Sequence, residues 1–295
     1  MSTLQRKSRL LQWGMILPAL LAIVALIAFP IGYTINLSLT DTSGPASAGP
    51  APFAGLENYA DALRDTARFW PALGRTIVFT VVALSIELIL GIAIALLLRK
   101  DFRGSMVART IMLVPLVTSP VAVGAIWMLI LDPNTGFANT MISAMGLDRI
   151  GFLTNPDYAL WTIIGLDAWQ WTPLVILIVL AGLAGVPDEP EEAALVDGAS
   201  TSQRIRFVTL PMIRNTIVVA AVLRGIDALK TFDIIYATKG PGGGSSNEAE
   251  TLNVLVYGLS FDYMEFGLAS AILVLFFVLV LVAAVFVVRQ STRDV

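Results

Sequence analysis

The sequence predicts an all-α, polytopic membrane protein with six transmembrane helices, and three observations support that prediction. Hydrophobic residues make up 56% of the 295-residue chain, charged residues make up 14%, and the mean hydropathy is +0.79. A soluble domain carries about 25% charged residues. Six apolar segments are long enough for a helix to cross a hydrocarbon core about 30 Å thick, which needs roughly 20 residues. Lys and Arg are also unevenly distributed between those segments.

The six predicted spans differ in how clearly the sequence marks them. The first and last are continuous apolar runs, and the fifth is the weakest because it holds charged residues. Pro115 and Pro120 lie within the third span and predict a kinked helix that packs against protein. The first span is too long for a signal-peptide core and lacks a small-residue cleavage site, so we interpret it as a retained helix. The predicted spans are 14–36, 76–98, 107–131, 161–184, 212–236 and 266–288.

The distribution of Lys and Arg sets the orientation of these spans. With the N-terminus in the cytoplasm, the inner segments carry 12 of the 19 basic residues, namely Arg6, Lys7, Arg9, Arg99, Lys100, Arg103, Arg109, Arg204, Arg206, Arg214, Arg289 and Arg293. The outer segments carry five, namely Arg64, Arg68, Arg75, Arg149 and Lys239. We therefore predict a multi-pass membrane protein with both termini in the cytoplasm. Its expected parts are a cytoplasmic N-terminus (1–13), a transmembrane domain (14–288) with an inner loop at 187–211, and a cytoplasmic C-terminus (289–295).

The residue types exclude several function classes. The chain contains no Cys and no His, which removes disulfides, thiol chemistry, the usual zinc sites and the common acid–base side chain near neutral pH. No G-x-x-x-x-G-K-[ST] sequence occurs, so the chain has no P-loop for ATP. No set of nucleophile and base is visible either. We predict a protein that is not an enzyme, that holds no cofactor in this chain and that has no nucleic-acid partner.

Two outer loops have distinct compositions. The loop at 37–75 begins with the Gly-, Pro- and Ser-rich stretch DTSGPASAGPAP, which has no core-forming pattern. The following residues have the spacing of an amphipathic helix on the membrane surface, with an apolar face of Leu56, Tyr59, Leu63, Phe69 and Trp70. The last outer loop contains KGPGGGSSNEAETLN at 239–253. No helix with a Lys–Ser/Thr pair follows this glycine run, which favours a flexible loop over a phosphate cradle.

The inner loop at 187–211 is polar and predicts two short helices. Pro187 and Pro190 favour a helix start, and acidic residues in a first turn complement the helix dipole. Gly198 ends this first helix as a left-handed cap. Residues 201–209 predict a second short helix, and Pro211 is expected to begin the fifth span. The result is a helix–turn–helix along the inner membrane surface, whose small side chains allow close approach by another protein.

This loop resembles the EAA signature of permease subunits in binding-protein-dependent ABC importers. The matching residues are Glu192-Ala193-Ala194, then Gly198, then nine residues, then Val208-x-Leu210-Pro211, with Val208 where the family usually has isoleucine. Segments resembling the carbohydrate-type branch, which includes permeases for maltose, polyols, trehalose and glycerol phosphate, extend over nearly the whole chain. They are FAGLENY (53–59), ELILGIAIALLL (87–98), LVP (113–115), DPNTGFAN (132–139), FDIIYATKG (232–240) and ETLNVLVY (250–257).

The resemblance implies a type I ABC importer permease fold in a bacterial cytoplasmic (inner) membrane, with different functions carried by different chains. It implies a second homologous permease subunit, two ATPase subunits that bind ATP and magnesium, and an extracytoplasmic solute-binding protein that delivers a carbohydrate. The inner loop would then be the coupling helix that docks in a cleft of the ATPase. The residues implied in that docking are Glu191, Glu192, Ala193, Ala194, Asp197, Gly198, Ala199, Leu210 and Pro211.

Charged residues inside the predicted spans are candidates for the solute pathway. A charge near the bilayer centre costs about 2.5–3.5 kcal/mol on insertion scales, so it should face protein or water. Arg224 lies about 18 Å along the fifth span, near its middle, and shares a face with Asp227 and Thr231. These two charges form either a buried packing pair or a polar lining for a sugar-sized solute. The candidate set is Glu87, Asp167, Trp171, Arg224, Asp227, Lys230 and Thr231, in which Glu87 is favoured as structural and the tryptophan also fits an interfacial belt.

One other class of transporter competes with an importer subunit, and one other interpretation competes for the inner loop alone. An ion-coupled secondary transporter usually shows internal repeats and substrate helices broken near the midplane, and no repeat is visible in the hydropathy pattern. A plain charged connector would also keep 191–211 in the cytoplasm, but it would not explain the motif spacing. The sequence does not identify the carbohydrate, since substrate choice in this family belongs largely to the binding protein.

Overall fold

The computed structural model describes residues 3–44, 51–100 and 102–293, and within them the chain is helical without a β-strand. Side chains are described from Gly14 onward, apart from Ala283 and 286–295. The helices are α1 (Thr3–Ser38), α2 (Glu57–Arg64), α3 (Phe69–Leu98), α4 (Ser105–Leu113), α5 (Pro120–Ile130), α6 (Phe137–Ala144), α7 (Pro156–Ala184), α8 (Glu189–Val196), α9 (Thr201–Arg204), α10 (Leu210–Met212), α11 (Arg214–Leu229), α12 (Asp233–Lys239), α13 (Leu252–Tyr257) and α14 (Phe266–Arg293).

Each of the six predicted spans corresponds to helical structure, but not each to one straight helix. Three helices of the described part are long and apolar enough to cross a membrane, and a bent pair raises that number to four. The pair joins Thr201–Met212 to Arg214–Leu229 at an angle of 67°. The third predicted span contains a shorter apolar helix, Pro120–Ile130. The sixth corresponds to α14, in which the described apolar stretch is Phe266–Val282. The three long helices are Gly14–Ser38, Phe69–Leu98 and Pro156–Ala184.

Two of the predicted spans are broken, which corrects the sequence-based boundaries. The third consists of α4 and α5 with a turn between them, because Pro115 and Pro120 interrupt helical hydrogen bonding more completely than a kink would. The fifth does not begin at Pro211, which lies in α10, and α11 starts only at Arg214. α11 also ends at Leu229, before the predicted end of the fifth span at residue 236, and three residues separate α11 from α12.

The first outer loop also differs from the prediction. Its amphipathic helix is α2 alone, which covers Tyr59 and Leu63 and has Leu56 as its N-cap. Phe69 and Trp70 belong instead to the first turn of α3, which extends the second predicted span at its N-terminal end. Within the Gly/Pro/Ser-rich stretch, residues 45–50 lie outside the described part of the chain.

The chain divides into two compact units, the first of which comprises Met1–Asp65 and Leu259–Phe277. In this unit the FAGLENY segment holds the end of α1. The Asn58 side-chain amide donates to the carbonyl oxygens of Ser38 (3.0 Å) and Thr40 (2.9 Å). The Tyr59 hydroxyl lies 2.6 Å from that of Ser38. These contacts give the Asn–Tyr pair of the motif a structural role.

The second unit comprises Thr66–Gly258 and Val278–Val295, and its centre is the packing of α3 against α7. Gly91 of α3 permits this close approach, since a Cβ there would lie 2.5 Å from Cγ1 of Val175. The core continues to the C-terminal ends of both helices through Ala95, Val179 and Leu183. The α3–α7 pair therefore forms the framework on which the charged residues of the spans are placed.

The glycine-rich outer loop is more tightly bonded than the flexible loop predicted from its composition. Lys239 pairs with Glu248 at 2.5 Å and donates to the carbonyl oxygen of Leu153 at 2.6 Å. The amide of Ala249 donates to the Gly243 carbonyl at 3.0 Å. Gly243 has a φ of +66°, and a Cβ there would lie 2.5 Å from the Glu250 nitrogen. The glycine run thus permits a compact turn that a side chain would block.

Candidate functional site

Arg224 is the centre of a buried cluster of charges. Its side chain is 1% exposed, and its Nη2 donates to Oε1 of Glu87 at 2.9 Å and to Oδ2 of Asp167. Its Nε lies 2.7 Å from Oε2 of Glu87. Its Nη1 donates to Oδ2 of Asp227 at 3.0 Å. One guanidinium therefore contacts three carboxyl groups, from α3, α7 and α11, and is not left as an unpaired buried charge.

The three carboxylates are not equivalent. The side chain of Glu87 is 0% exposed and that of Asp167 is 3% exposed, whereas that of Asp227 is 48% exposed. Glu87 and Asp167 therefore face Arg224 from the protein side, and Asp227 lies at the open edge of the cluster. The Trp171 ring covers the guanidinium with its centroid 5.0 Å from the Arg224 Cζ, a cation–π geometry.

A polar cavity of about 90 Å³ lies beside this cluster. Its lining combines charged, hydroxyl and aromatic side chains: Pro120, Asp167, Trp171, Asp227, Lys230, Thr231, Phe232, Asp233 and Ile234. Five of the seven candidate pathway residues line the cavity directly. The other two, Glu87 and Arg224, lie behind its wall. The structure thus brings the whole candidate set together.

The position of Lys230 and Thr231 differs from the sequence-based expectation. They were expected on a continuous helix, but they lie in the break between α11 and α12. The amides of both residues donate back to α11, to the carbonyls of Asp227 (3.0 Å) and Ala228 (3.2 Å). The break places their side chains and that of Asp233 around one cavity, which a straight helix would spread over a full turn.

Three aromatic residues near the cavity were not identified from the sequence. Phe232, Tyr236 and Tyr257 pack together with ring centroids 4.9–5.1 Å apart. Phe232 also lines the cavity, and Tyr257 comes from α13, after the glycine-rich loop. Two of them lie within the FDIIYATKG segment, but their spacing along the chain gave no sign that Tyr257 would join them.

The inner loop forms the predicted helix–turn–helix. Its first helix, α8, ends in a Schellman motif, in which the Ala199 amide donates to the Ala194 carbonyl (2.9 Å) and the Gly198 amide to the Leu195 carbonyl (3.1 Å). Gly198 has a φ of +82°, as the left-handed cap requires. A Cβ on Gly198 would have no heavy atom within 4 Å, so only the backbone conformation favours glycine there.

The second helix of this loop begins with a capping box and continues in a wider coil. The Ser200 hydroxyl accepts from the Gln203 amide (3.4 Å), and the Gln203 side chain accepts from the Ser200 amide (2.7 Å). After α9, residues Ile205–Thr209 form a π-helical turn, where a regular α-helix was predicted. The Thr209 hydroxyl oxygen, at the end of this turn, lies 3.4 Å from the Arg204 carbonyl oxygen. Such turns are frequent at functional sites.

Glu191 differs from the other predicted coupling residues because its carboxylate is engaged within the chain. Oε1 of Glu191 accepts from the Thr209 hydroxyl at 2.7 Å and from Nη1 of Arg99, at the end of α3. Burial raises the pKa of Glu191, but the hydrogen bonds from Thr209 and Arg99 and the positive charge of Arg99 outweigh it and hold that pKa below its ordinary value. Glu191 therefore remains a charged anchor at neutral pH.

The other predicted coupling residues lie toward the loop surface. Glu192, Ala193, Asp197, Gly198 and Pro211 are exposed, and Ala194, Ala199 and Leu210 are half-buried. Three apolar side chains that were not predicted accompany them: Leu195 (57% exposed), Val196 (87%) and Phe207 (67%). These could have been found from the sequence, since they are large apolar residues in an otherwise polar inner segment. Together they give the loop an apolar surface of the kind found at protein contacts.

Comparison with known proteins shows similarity over nearly the whole chain. The family model for "binding-protein-dependent transport system inner membrane component" matches residues 87–294. This part of the chain includes the charged cluster, the polar cavity and the inner loop.

Individual relatives extend the similarity to the N-terminal part. The trehalose/maltose transport system permease protein MalF of Thermococcus litoralis is 36% identical over 285 residues, covering 95% of this chain and 93% of that protein. The trehalose transport system permease protein SugA of Mycobacterium tuberculosis is 36% identical over 276 residues, covering 94% and 87%. A solved bacterial ABC transporter involved in import of the acidic polysaccharide alginate contains a chain similar at a TM-score of 0.84 and 26% identity, covering 97% of this chain and 96% of that chain.

Proposed function

Since this chain belongs to the family of inner membrane components of binding-protein-dependent transport systems, we propose that it is a permease subunit of an importer for a carbohydrate-class solute. The solute would be a sugar, an oligosaccharide, a polyol or a sugar derivative. The chain would move it by alternating access, while ATP is hydrolysed in a separate subunit. The relatives named for trehalose and maltose support the carbohydrate assignment.

The polar cavity is the observation that carries this proposal. Its lining offers carboxylates, an ammonium group and a hydroxyl, from Asp167, Asp227, Lys230 and Thr231, beside the aromatic rings of Trp171 and Phe232. Polyhydroxylated solutes are bound by such hydrogen-bonding groups together with an apolar ring face. A cavity of about 90 Å³ is smaller than a sugar ring needs, which fits a half-site completed by a second permease subunit or by opening of the pathway.

The inner loop supports the coupling half of the proposal. Its exposed surface combines Glu192 and Asp197 with the apolar side chains of Leu195, Val196 and Phe207. Exposed apolar side chains on a short helix–turn–helix can enter a groove of a partner, as in the helix-in-groove mode of recognition. We assign the groove to the ATPase subunit, in which ATP and magnesium would bind.

The complete importer would contain a second, homologous permease subunit, two ATPase subunits and an extracytoplasmic solute-binding protein, all in or at the lipid bilayer. We place both termini of this chain in the cytoplasm, because 12 of its 19 Lys and Arg residues then lie inside. The inner loop and the ATPase are on the same side in this orientation.

Reconstitution tests the proposal directly. The chain, its second permease and its ATPase are placed in liposomes, and the binding protein is added outside with each member of a labelled panel of sugars, polyols and sugar phosphates. We expect uptake of at least one solute that requires ATP and the binding protein and that persists when ionophores collapse the ion gradients. Uptake that follows an ion gradient without ATP would identify an ion-coupled transporter instead.

A further inference from the structure

Helix α3 carries an ion-pair contact near each end and one near its middle. Just before its first turn, Arg68 pairs with the buried Glu250 at 2.5 Å. In its middle, Glu87 pairs with Arg224 at 2.7 Å. At its inner end, Arg99 pairs with Glu191 of the inner loop. All these residues belong to the second unit, so one helix joins the outer loop, the cluster beside the cavity and the coupling loop.

The contact between Arg99 and Glu191 fixes the inner loop, the proposed coupling loop, at two points. Arg99 is the C-cap residue of α3 and also lies 3.7 Å from Oδ1 of Asp188, the N-cap of α8. Glu191, which Arg99 holds, accepts in addition from the hydroxyl of Thr209, which is 1% exposed. The start of the first short helix and the end of the π-helical turn thus meet at one carboxylate. The loop cannot shift relative to α3 without breaking this charge-assisted contact.

The connection from this contact to the cavity is short and continuous. Glu87 and Arg99 are 12 positions apart in sequence, about 18 Å along a helix axis. α3 is unbroken between Phe69 and Leu98, whereas the third and fifth predicted spans are both interrupted. Its Gly91, between the two contacts, packs directly against Val175 of α7. A helix packed in this way moves as a rigid element, so a displacement at one end reaches the other.

We propose that Arg99 is a positioning residue for the coupling loop, and that α3 transmits changes between this loop and the cluster beside the cavity. The inference rests on the proposed function, since it concerns how the state of the ATPase reaches the solute cavity. It assigns to Arg99 and Glu191 a role distinct from docking: they hold the loop in register with α3. The exposed residues of the loop contact the ATPase, and the Arg99–Glu191 pair passes the movement on.

The test measures this communication without a solute. The complete transporter is assembled with partner subunits free of reactive thiols, and Thr231→Cys introduces one thiol into the cavity of a chain that has no native Cys. Its rate of modification by a small water-soluble methanethiosulfonate is measured without nucleotide and after trapping with MgATP and vanadate. We expect the trapped state to change the rate, and Arg99→Gln to reduce that change by about fivefold or more.

Matched variants separate positioning from charge and from folding. Lys100→Gln removes one positive charge at the next, exposed position and should keep the full response. Arg99→Lys keeps the positive charge and should retain much of the change in modification rate that Arg99→Gln loses. Thr209→Val removes the second hydrogen bond to Glu191 while leaving Arg99 in place, and it should also weaken the change in modification rate on trapping. If Arg99→Gln does not assemble, Thr209→Val is the variant that tests the proposal.

The outcomes distinguish this inference from the proposed function. If trapping changes nothing in the Thr231→Cys background, ATP-driven alternating access at this cavity is wrong. Suppose instead that trapping changes the modification rate in the Thr231→Cys background. The role of Arg99 and α3 is then wrong if the full change persists in assembled Arg99→Gln. If Arg99→Gln does not assemble, persistence of the full change in Thr209→Val shows the same. Equal losses in Arg99→Gln and Lys100→Gln would also contradict it, because they would indicate a general effect of charge.

Discussion

Nη2 of Arg224 donates to Oε1 of Glu87 at 2.9 Å, joining two residues 137 positions apart in sequence within the membrane-spanning part of the chain. Both side chains are almost completely inaccessible, at 1% and 0% exposure. The contact enlarges the Arg224–Asp227 pair that the sequence predicts. Arg224 is not simply one half of a pair with Asp227; it is the shared cation of a cluster that also includes Asp167.

Removal of Arg224 should therefore damage assembly severely. Arg224→Ala leaves two buried carboxylates, Glu87 and Asp167, without their cation, and an uncompensated buried charge costs about 3–5 kcal/mol. We expect the yield of assembled complex, measured by size-exclusion chromatography, to fall strongly. The yield of the double variant Arg224→Leu with Asp227→Leu should fall equally. Asp227 is the most exposed of the three carboxylates, so its removal leaves the buried Glu87 and Asp167 still without their cation. Recovery of yield in that double variant would show that the Arg224–Asp227 pair is self-contained.

Asp227 should behave differently, because it lies at the open edge of the cluster. Its side chain is 48% exposed and lines the cavity. Asp227→Asn keeps the size and one hydrogen-bond acceptor, and we expect near-normal assembly with uptake reduced about tenfold, the loss expected when one charged contact of about 1.4 kcal/mol is removed. Asp262→Asn, which changes an exposed carboxylate elsewhere in the chain, is the matched control. Normal uptake by Asp227→Asn would remove Asp227 from the solute pathway.

Gly198 should be required for coupling and not for insertion. Its φ of +82° is the left-handed conformation, which costs a residue with a Cβ on the order of 1–2 kcal/mol. Gly198→Val should leave membrane abundance near normal while weakening ATPase association or separating ATP hydrolysis from uptake. Gly198→Asn is the control, since asparagine tolerates this conformation, and it should retain most of the coupling. Unchanged uptake in Gly198→Val would show that the cap geometry is dispensable.

Much of this fold could be predicted from the sequence, because hydropathy and the positions of helix caps are local properties. The inner loop is the clearest example: Gly198 was identified as a left-handed cap, and the structure shows it there. The π-helical turn Ile205–Thr209 was not predicted, since the Thr209 and Glu191 contact that accompanies it comes from residues 18 positions apart. The break at Lys230 was also not predicted, because neither proline nor glycine marks it in the sequence.

The charged cluster could be predicted only in part. Arg224 and Asp227 are three positions apart, so helical periodicity alone placed them together. Glu87 and Asp167 were recognised as charges inside predicted spans, which identifies candidates without giving their partners. Their contacts with Arg224 span 137 and 57 positions, and no local rule of sequence provides such a pairing. The packing of α3 against α7 determines it.

Thiol labelling can test the predicted orientation, because the chain has no native Cys. Ser143 of α6 and Ser202 of α9 are both exposed and suit labelling. Ser202 is preferable to the nearby Ser200, because the Ser200 hydroxyl caps α9. In intact cells we expect a membrane-impermeant maleimide to label Ser143→Cys from outside and to label Ser202→Cys only after permeabilisation. The opposite pattern would overturn both the orientation and the coupling role of the inner loop.

The ion pair between Lys239 and Glu248 should make the glycine-rich outer loop sensitive to acid. Burial raises the pKa of Glu248, but the hydrogen bond and charge of Lys239 and the Ser246 amide outweigh it, so that pKa lies below its ordinary value of 4.5. A carboxyl with a depressed pKa stabilises the folded state above its unfolded pKa and loses that contribution as the pH falls through the folded value. The loop contact should therefore be complete at neutral pH and weaken only below about pH 4.5.

Hydrogen exchange at the Ser246 amide reports this change, because that amide donates to Oε2 of Glu248 at 3.0 Å. Glu248→Gln should accelerate its exchange at neutral pH by about fivefold, for a loss of about 1 kcal/mol. After correction for intrinsic exchange rates, protection in the native chain should hold down to the ordinary carboxyl pKa of 4.5 and fall toward the level of that variant only as the pH is lowered further, while protection in Glu248→Gln stays constant. The amide of Ala249 donates to the Gly243 carbonyl and provides the internal control. Equal protection in the two chains at neutral pH would show that the glycine backbone, and not the Lys239–Glu248 pair, holds the loop.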